Sequence, residues 1–259
     1  MFIDTHCHLN DDVLYEHLDE VVSAALEAKV STMVCIGYDL SSSIRAIEIA
    51  EKYPSVYATV GFHPTNALEV KDEDYAWLES KLTHPKVVGI GEIGLDYYWD
   101  KTYIEKQKEV FIRQMDLADK YHLPITVHMR DSDADTLEII KERKPKSVQG
   151  IMHCYSGSLE LSKEFIKCKM MISLAGPVTF KNARVPKEVA SGIDLPYLLI
   201  ETDSPYLAPH PFRGKQNSPS LVPYVAQEIA LLRDVPVEEI ARITSENALR
   251  IFNKIKEAV

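Results

Sequence analysis

Eight short apolar runs, recurring at intervals of roughly 20 to 36 residues, constrain this chain more than any other feature. They lie at 2–5, 32–36, 56–60, 87–90, 125–127, 150–152, 170–174 and 197–200. Each is continuously apolar rather than alternating, the pattern of parallel strands covered on both faces. Helical periodicity fills the intervals, at 15–28, 41–52, 72–82, 104–122, 132–142, 158–167 and 219–232, with a weaker stretch at 185–191 and one or two further helices over 235–256. Serines near 41 and at 132 read as helix caps, and Pro236 as a first helical residue. Eight strand–helix units predict α/β architecture: a (β/α)8 TIM barrel with an additional C-terminal helix, as a single domain over residues 1–259. The competing architecture is an open doubly wound sheet. That sheet collects its active residues at one switch point, whereas the polar candidates here follow strands 1, 4, 5, 6 and 8, which only a closed ring brings together.

Composition narrows the class. Of 259 residues, 46% are hydrophobic and 26% charged, as in ordinary globular proteins. No basic n-region or apolar h-region opens the chain, and no apolar run approaches the ~18 residues of a membrane span, so neither a signal peptide nor a membrane partner is expected. Cys7, Cys35, Cys154 and Cys168 form no CxxC pair, and their placement points to a reducing, cytoplasmic location. The net charge of −10 argues against a sequence-independent nucleic-acid binder, but not against an enzyme that holds phosphates through cations and a few local basic residues. Nothing fixes the oligomeric state, and a monomer suffices.

The chemistry begins in the first strand. His6 and His8 lie two residues apart in extended chain, so both imidazoles face one side and Cys7 the other. Glu92, His128, His153 and Asp203 follow, each just after an apolar run and so at the strand ends where barrel enzymes carry their catalytic groups. Taken singly, each has an ordinary explanation, such as a core histidine or a turn aspartate. Six in phase with the barrel exceed the needs of one ion and suit two divalent ions sharing a carboxylate.

With these residues in place, the chain resembles the TatD family of metal-dependent deoxyribonucleases, within the amidohydrolase-like barrels. The resemblance covers nearly the whole chain. It is carried by Phe2-Ile3-Asp4-Thr5-His6-Cys7-His8, Gly61-Phe62-His63-Pro64, Gly89-Ile90-Gly91-Glu92-Ile93-Gly94-Leu95-Asp96-Tyr97, His128-Met129-Arg130-Asp131, His153-Cys154-Tyr155-Ser156-Gly157, Glu201-Thr202-Asp203-Ser204-Pro205 and Pro211-Phe212-Arg213-Gly214-Lys215. It implies that His6, His8 and Asp203 hold one ion, that His128 and His153 hold the other, and that Glu92 bridges them where many amidohydrolases use a modified lysine. It also implies hydrolysis of DNA phosphodiesters, largely as a 3′→5′ exonuclease preferring single strands.

The expected mechanism is attack of metal-activated water on phosphorus, with Asp203 as the proton acceptor and Glu92 as the bridge. Three or four imidazoles favour zinc, manganese or nickel, although the family is commonly assayed with magnesium. Expected substrate contacts are His63, which ends strand 3, Arg130, Tyr155 by stacking on a base, and Arg213 and Lys215 after strand 8. Asp96 and Tyr97 are candidates for supporting or stacking roles. Lys181, Arg184 and Lys187 after strand 7 extend a phosphate-binding cluster. Lys141, Arg143, Lys144 and Lys146 precede strand 6 and read as solvated surface on the opposite face. Two other readings compete: a barrel hydrolase acting on an ester or amide, including an aminoacyl ester on tRNA, and a non-catalytic binding protein on an enzyme scaffold.

Overall fold

The computed structural model describes residues 1–143 and 150–255. Eight parallel strands run in sequence order: β1 (Phe2–Cys7), β2 (Val30–Ile36), β3 (Val56–Val60), β4 (Val87–Asp96), β5 (Ile125–Arg130), β6 (Gly150–Met152), β7 (Met170–Leu174) and β8 (Leu198–Ile200). The ring closes between β8 and β1 through an irregular seam. There, Asp203 N donates to His6 O (2.9 Å) and His8 N to Ser204 O (2.7 Å). Asp4 tightens the seam: its carboxylate accepts from Thr202 N (2.9 Å) and Thr202 Oγ1 (2.6 Å). The structure is therefore a nearly closed TIM barrel, as the spacing of the apolar runs predicts.

The helices are α1 (Asp12–Tyr15), α2 (Leu18–Glu27), α3 (Leu40–Lys52), α4 (Asp72–Lys81), α5 (Ile104–Tyr121), α6 (Asp133–Arg143), α7 (Leu159–Lys167), α8 (Arg184–Gly192), α9 (Val222–Arg233) and α10 (Val237–Ile251). None is long and apolar enough to cross a membrane, among the described residues. The single helix expected at 15–28 is two, because Asp11 accepts from Val13 N and starts a short helix ahead of it. α3 is capped by Asp39 rather than by a serine: its carboxylate accepts from Ser42 N at 2.7 Å while Ser42 Oγ accepts from Asp39 N. Ser132 stands directly ahead of α6, its carbonyl accepting from Thr136 N while its hydroxyl donates to Leu95 O in β4. Pro236 sits one residue ahead of the first turn of α10, as its N-cap. The end of the helix expected at 235–256 touches Lys256, outside the described residues.

The strands are buried on both faces, which explains their unbroken apolar runs. The main core lies between strands and helices, with Phe111, Phe165 and Leu78 fully buried. A second, smaller core joins Ile3, Val88, Ile151, Met171 and Leu199 to Ile251, Phe252 and Ile255 at the end of α10. Lys254 fastens this end, its ammonium donating to the carbonyls of Leu82 (2.9 Å), His84 (3.3 Å) and Val87 (2.9 Å).

β4 and β5 outrun their apolar stretches. β4 continues to Asp96 and β5 to Arg130, with a register shift between Ile90 and Ile93. Glu92 and His128 thus lie within strands, not after them. Gly94 makes this possible: its φ is +139°, and a Cβ there would meet His128 O at 2.0 Å.

Candidate metal centre

All six expected ligands converge at the mouth of the barrel. β1 supplies His6, with His8 just beyond it; β4 supplies Glu92 and β5 His128. His153 follows β6, and Asp203 follows β8 in a left-handed conformation (φ 54°) that aspartate tolerates better than most residues. A cavity of about 680 Å³ opens over them.

Glu92 divides the site. Its Oε2 lies 3.5 Å from His6 Nε2 and 3.8 Å from His8 Nε2. Its Oε1 lies 2.9 Å from both His128 Nδ1 and His153 Nε2. Asp203 Oδ1 completes the first group, 3.5 Å from His6 Nε2 and 3.3 Å from His8 Nε2. The two histidine nitrogens are 3.2 Å apart. Ligand atoms arranged tetrahedrally around a zinc-sized ion stand about 3.3 Å from one another. The first group has this spacing, so the donor set fits a bound cation. His6, His8 and Asp203 indeed form one of the clusters able to hold a metal.

The second group is more crowded. His128 Nδ1 is 3.4 Å from His153 Nε2, and His63 Nε2 is 3.5 Å from Glu92 Oε1. His63, Glu92 and His128 also satisfy the geometry of a metal cluster. His63 nevertheless differs in its proton. Its Nδ1 accepts from Thr65 N at 3.2 Å, which leaves the proton of the neutral ring on Nε2 and makes that atom a donor toward the site.

Partners behind the ligands orient most of these rings. His8 Nδ1 donates to Ile36 O (3.3 Å), His128 Nε2 to Asp96 Oδ2 (2.9 Å) and His153 Nδ1 to Glu201 Oε1 (3.3 Å). Each bond fixes the ring so that its other nitrogen faces Glu92 or Asp203. His6 differs: its Nδ1 is buried without a hydrogen-bond partner, and its ring instead stacks on His153 with centroids 3.9 Å apart. Glu201, wholly buried, also accepts from Cys154 N (2.6 Å) and so fixes the turn that carries His153. Glu201 is the supporting residue that reading the sequence for ligands overlooks. Its signal is a carboxylate at the end of the run Leu198-Leu199-Ile200, two residues before Asp203.

Burial and charge oppose each other here. Burial pushes the Glu92 carboxyl up, but His153, His63 and His128 outweigh it and hold the group well below the usual range. Asp203 is likewise raised by burial and brought lower overall by His8 and His6. Burial disfavours the charged rings of His153, His128 and His8, yet the carboxylates beside them raise all three. His6 is lowered, by its burial first and then by His153 against it. Glu92 and Asp203 are thus anions, and the three raised imidazoles hold protons more tightly than an ordinary histidine, protons with which a cation would compete.

The expected substrate contacts divide. His63 and Arg130 line the cavity. Tyr155 does not: it is buried, its ring meets Phe165, and its hydroxyl donates to Ser158 O, so it has no face to offer a base. Arg213 and Lys215 are exposed but do not line the cavity, and the Arg213 guanidinium lies over Phe180, 4.3 Å from the ring centre. Arg184 pairs with Glu188 and Lys187 with Glu228, each at 2.8 Å, which neutralises most of the basic group expected after β7. Tyr97 donates to Asp135 (2.7 Å) and is buried. Lys141 and Arg143 pair with Glu164 and Asp116, each at 2.9 Å, as solvated ion pairs; Lys144 and Lys146 lie outside the described residues.

Residues 3–253 match the family described as TatD related DNase. The uncharacterized metal-dependent hydrolase YabD of Bacillus subtilis is 49% identical over 252 residues, covering 97% of this chain and 99% of that protein. The uncharacterized metal-dependent hydrolase YcfH of Escherichia coli K12 is 35% identical over 255 residues, covering 97% and 95%. The crystal structure of YJJV, a TatD homologue from Escherichia coli K12, superposes with a TM-score of 0.92 at 30% identity, covering 97% of this chain and 98% of that one.

Proposed function

The chain belongs to the TatD-related family of metal-dependent hydrolases, and on that premise we propose that it is a deoxyribonuclease that hydrolyses DNA phosphodiester bonds with two divalent ions. The observation that carries this reading is the position of Glu92, with one oxygen toward His6 and His8 and the other toward His128 and His153. His6, His8 and Asp203 would hold one ion, His128 and His153 the other, and Glu92 both. Ions bound there supply Lewis acidity, which activates water and offsets charge on a phosphate.

The chain's own groups supply the rest. Asp203 is an anion at the edge of the cavity, able to orient a water and accept its proton. His63 Nε2 can donate to a phosphate or leaving oxygen. Arg130 adds a permanent positive charge to the same wall. Nitrogen-rich donors favour zinc, manganese or nickel over magnesium. Exonucleolytic 3′→5′ action on single strands is the mode that follows from the family resemblance.

One observation favours a second reading, an ester or amide hydrolase. Arg130 is the one arginine or lysine lining the cavity among the described residues, fewer than a polyanion track would supply. The deciding experiment is a metal-content measurement followed by digestion of DNA with and without chelator. Metal-restored cleavage supports the proposal. A metal-loaded protein that leaves DNA intact but turns over a phosphate-free ester overturns it.

A further inference from the structure

We infer that Tyr98 and Arg130, with Asp131 and Asp133, form a pocket for one unpaired nucleobase next to the bond being cleaved; this rests on the phosphodiesterase reading above. A second cavity, about 690 Å³, adjoins the metal cavity. Arg130 and Ser156 line both. The size falls within the range of small-molecule sites.

One wall of this cavity is Tyr98, which stands with Trp99 in an exposed aromatic pair that the fold does not need for its core. Tyr98 is 52% exposed and Trp99 69%, and the two rings meet edge to face with centroids 4.8 Å apart. The central carbon of the Arg130 guanidinium lies over this pair, 3.7 Å from the Tyr98 ring centre and 5.5 Å from that of Trp99. Aromatic rings and guanidinium planes are the surfaces on which unstacked bases rest. The platform is also tied to the metal centre. Asp96 accepts from Tyr98 N through Oδ1 (2.9 Å) while its Oδ2 accepts from His128 Nε2 (2.9 Å). One carboxylate therefore sets the distance between the platform and a metal-binding ring.

The remaining lining identifies the occupant. Asp131 and Asp133 line the same cavity as Arg130. Two carboxylates repel phosphate but accept hydrogen bonds from a base amine, as acidic side chains do from N4 of cytosine. Arg130, at the boundary of the two cavities, is placed for the phosphate that joins that base to the metal centre. A base paired in a duplex cannot enter, so the pocket selects unpaired strands. It also prefers cytosine to thymine, which carries a carbonyl oxygen in place of the amine.

The test is kcat/KM of manganese-loaded protein on short oligo-dC, oligo-dT and an abasic strand of equal length, with bis(4-nitrophenyl) phosphate as a diester lacking a base. The expected order is oligo-dC above oligo-dT by about tenfold, with the abasic strand lowest. Tyr98→Ala should raise KM for oligo-dC about tenfold and Tyr98→Phe restore it, while Asp131→Asn with Asp133→Asn should abolish the preference for cytosine. Equal values on all three strands in the parent protein, with the small diester turned over, overturn the pocket and leave the phosphodiesterase reading standing. If no diester of any kind is cleaved, that reading fails and the pocket with it. The comparison of strands uses the parent protein, so a misfolded variant does not affect it.

Discussion

Glu201 Oε1 lies 3.3 Å from Nδ1 of His153, and the same oxygen accepts from the backbone of Cys154 at 2.6 Å. One buried carboxylate therefore fixes both the ring of His153 and the turn that presents it. Glu201→Gln should lower metal affinity on the order of 10- to 100-fold, the usual cost of losing a partner behind a metal-bound histidine. Competition with a chelator of known affinity measures this. Parent-like affinity in the variant would show that packing alone holds His153.

Loss of the bridge should differ from loss of a terminal ligand. Glu92→Gln removes a charge facing both proposed ion sites and should reduce metal content at both. His153→Ala should weaken one. Elemental analysis after equilibrium dialysis separates the two outcomes, and two ions retained by Glu92→Gln would remove its bridging role.

Asp203→Asn keeps the shape of the side chain and one ligand oxygen but removes the proton acceptor. Turnover of DNA should fall by a factor on the order of 10² or more, with little change in DNA affinity. Parent-rate cleavage by this variant would exclude Asp203 as the base.

Metal binding should release protons. Burial disfavours the charged rings of His8, His128 and His153, but the carboxylates beside them outweigh it, so in the ion-free site all three hold their protons to a higher pH than an ordinary histidine. A cation must displace those protons. Affinity should therefore rise with pH through and above about 6.5, and fall as the solution is acidified. Calorimetry in buffers of different ionisation enthalpy would detect the released protons. Affinity that does not vary between about pH 6 and pH 8 would count against this account.

Phe252 is fully buried at the end of α10, in the core that includes Ile3, Val88 and Leu199. Phe252→Ala should destabilise the fold by about 3–5 kcal/mol through lost burial and a residual cavity. Urea denaturation of metal-free parent and variant measures the difference, and a loss below about 1 kcal/mol would mean that this end is not cooperative with the barrel.

Most of the fold is legible in the sequence because parallel strands covered on both faces leave unbroken apolar runs. The same signal fails where strands carry function. β4 and β5 continue beyond Ile90 and Val127 through Glu92 and His128, and polar ligand residues conceal the extension. All six ligand candidates come together at the mouth because each lies in a strand or within three residues after one, and strand positions in a barrel are fixed by register. Tyr155, Arg213 and Lys215 belong to turns and loops, where sequence position does not specify which way a side chain faces. Arg184 and Lys187 show a related loss: their charge is visible in the sequence, but Glu188 and Glu228, which neutralise it, become neighbours only in three dimensions.

The seam of the barrel has a consequence for when this protein becomes competent. The chain that carries His6 and His8 is bonded directly to the chain that carries Asp203: Asp203 N donates to His6 O, and His8 N to Ser204 O. Across the same seam, Asp4 and Thr202 are separated by 198 positions in sequence. Contacts of such separation are costly to close and form late. A chain emerging from the ribosome thus holds its first two histidines long before it holds the aspartate that joins them. Until the eighth strand docks against the first, it can neither capture an ion in the finished geometry nor attack a substrate, so the hydrolase stays inert through its own assembly.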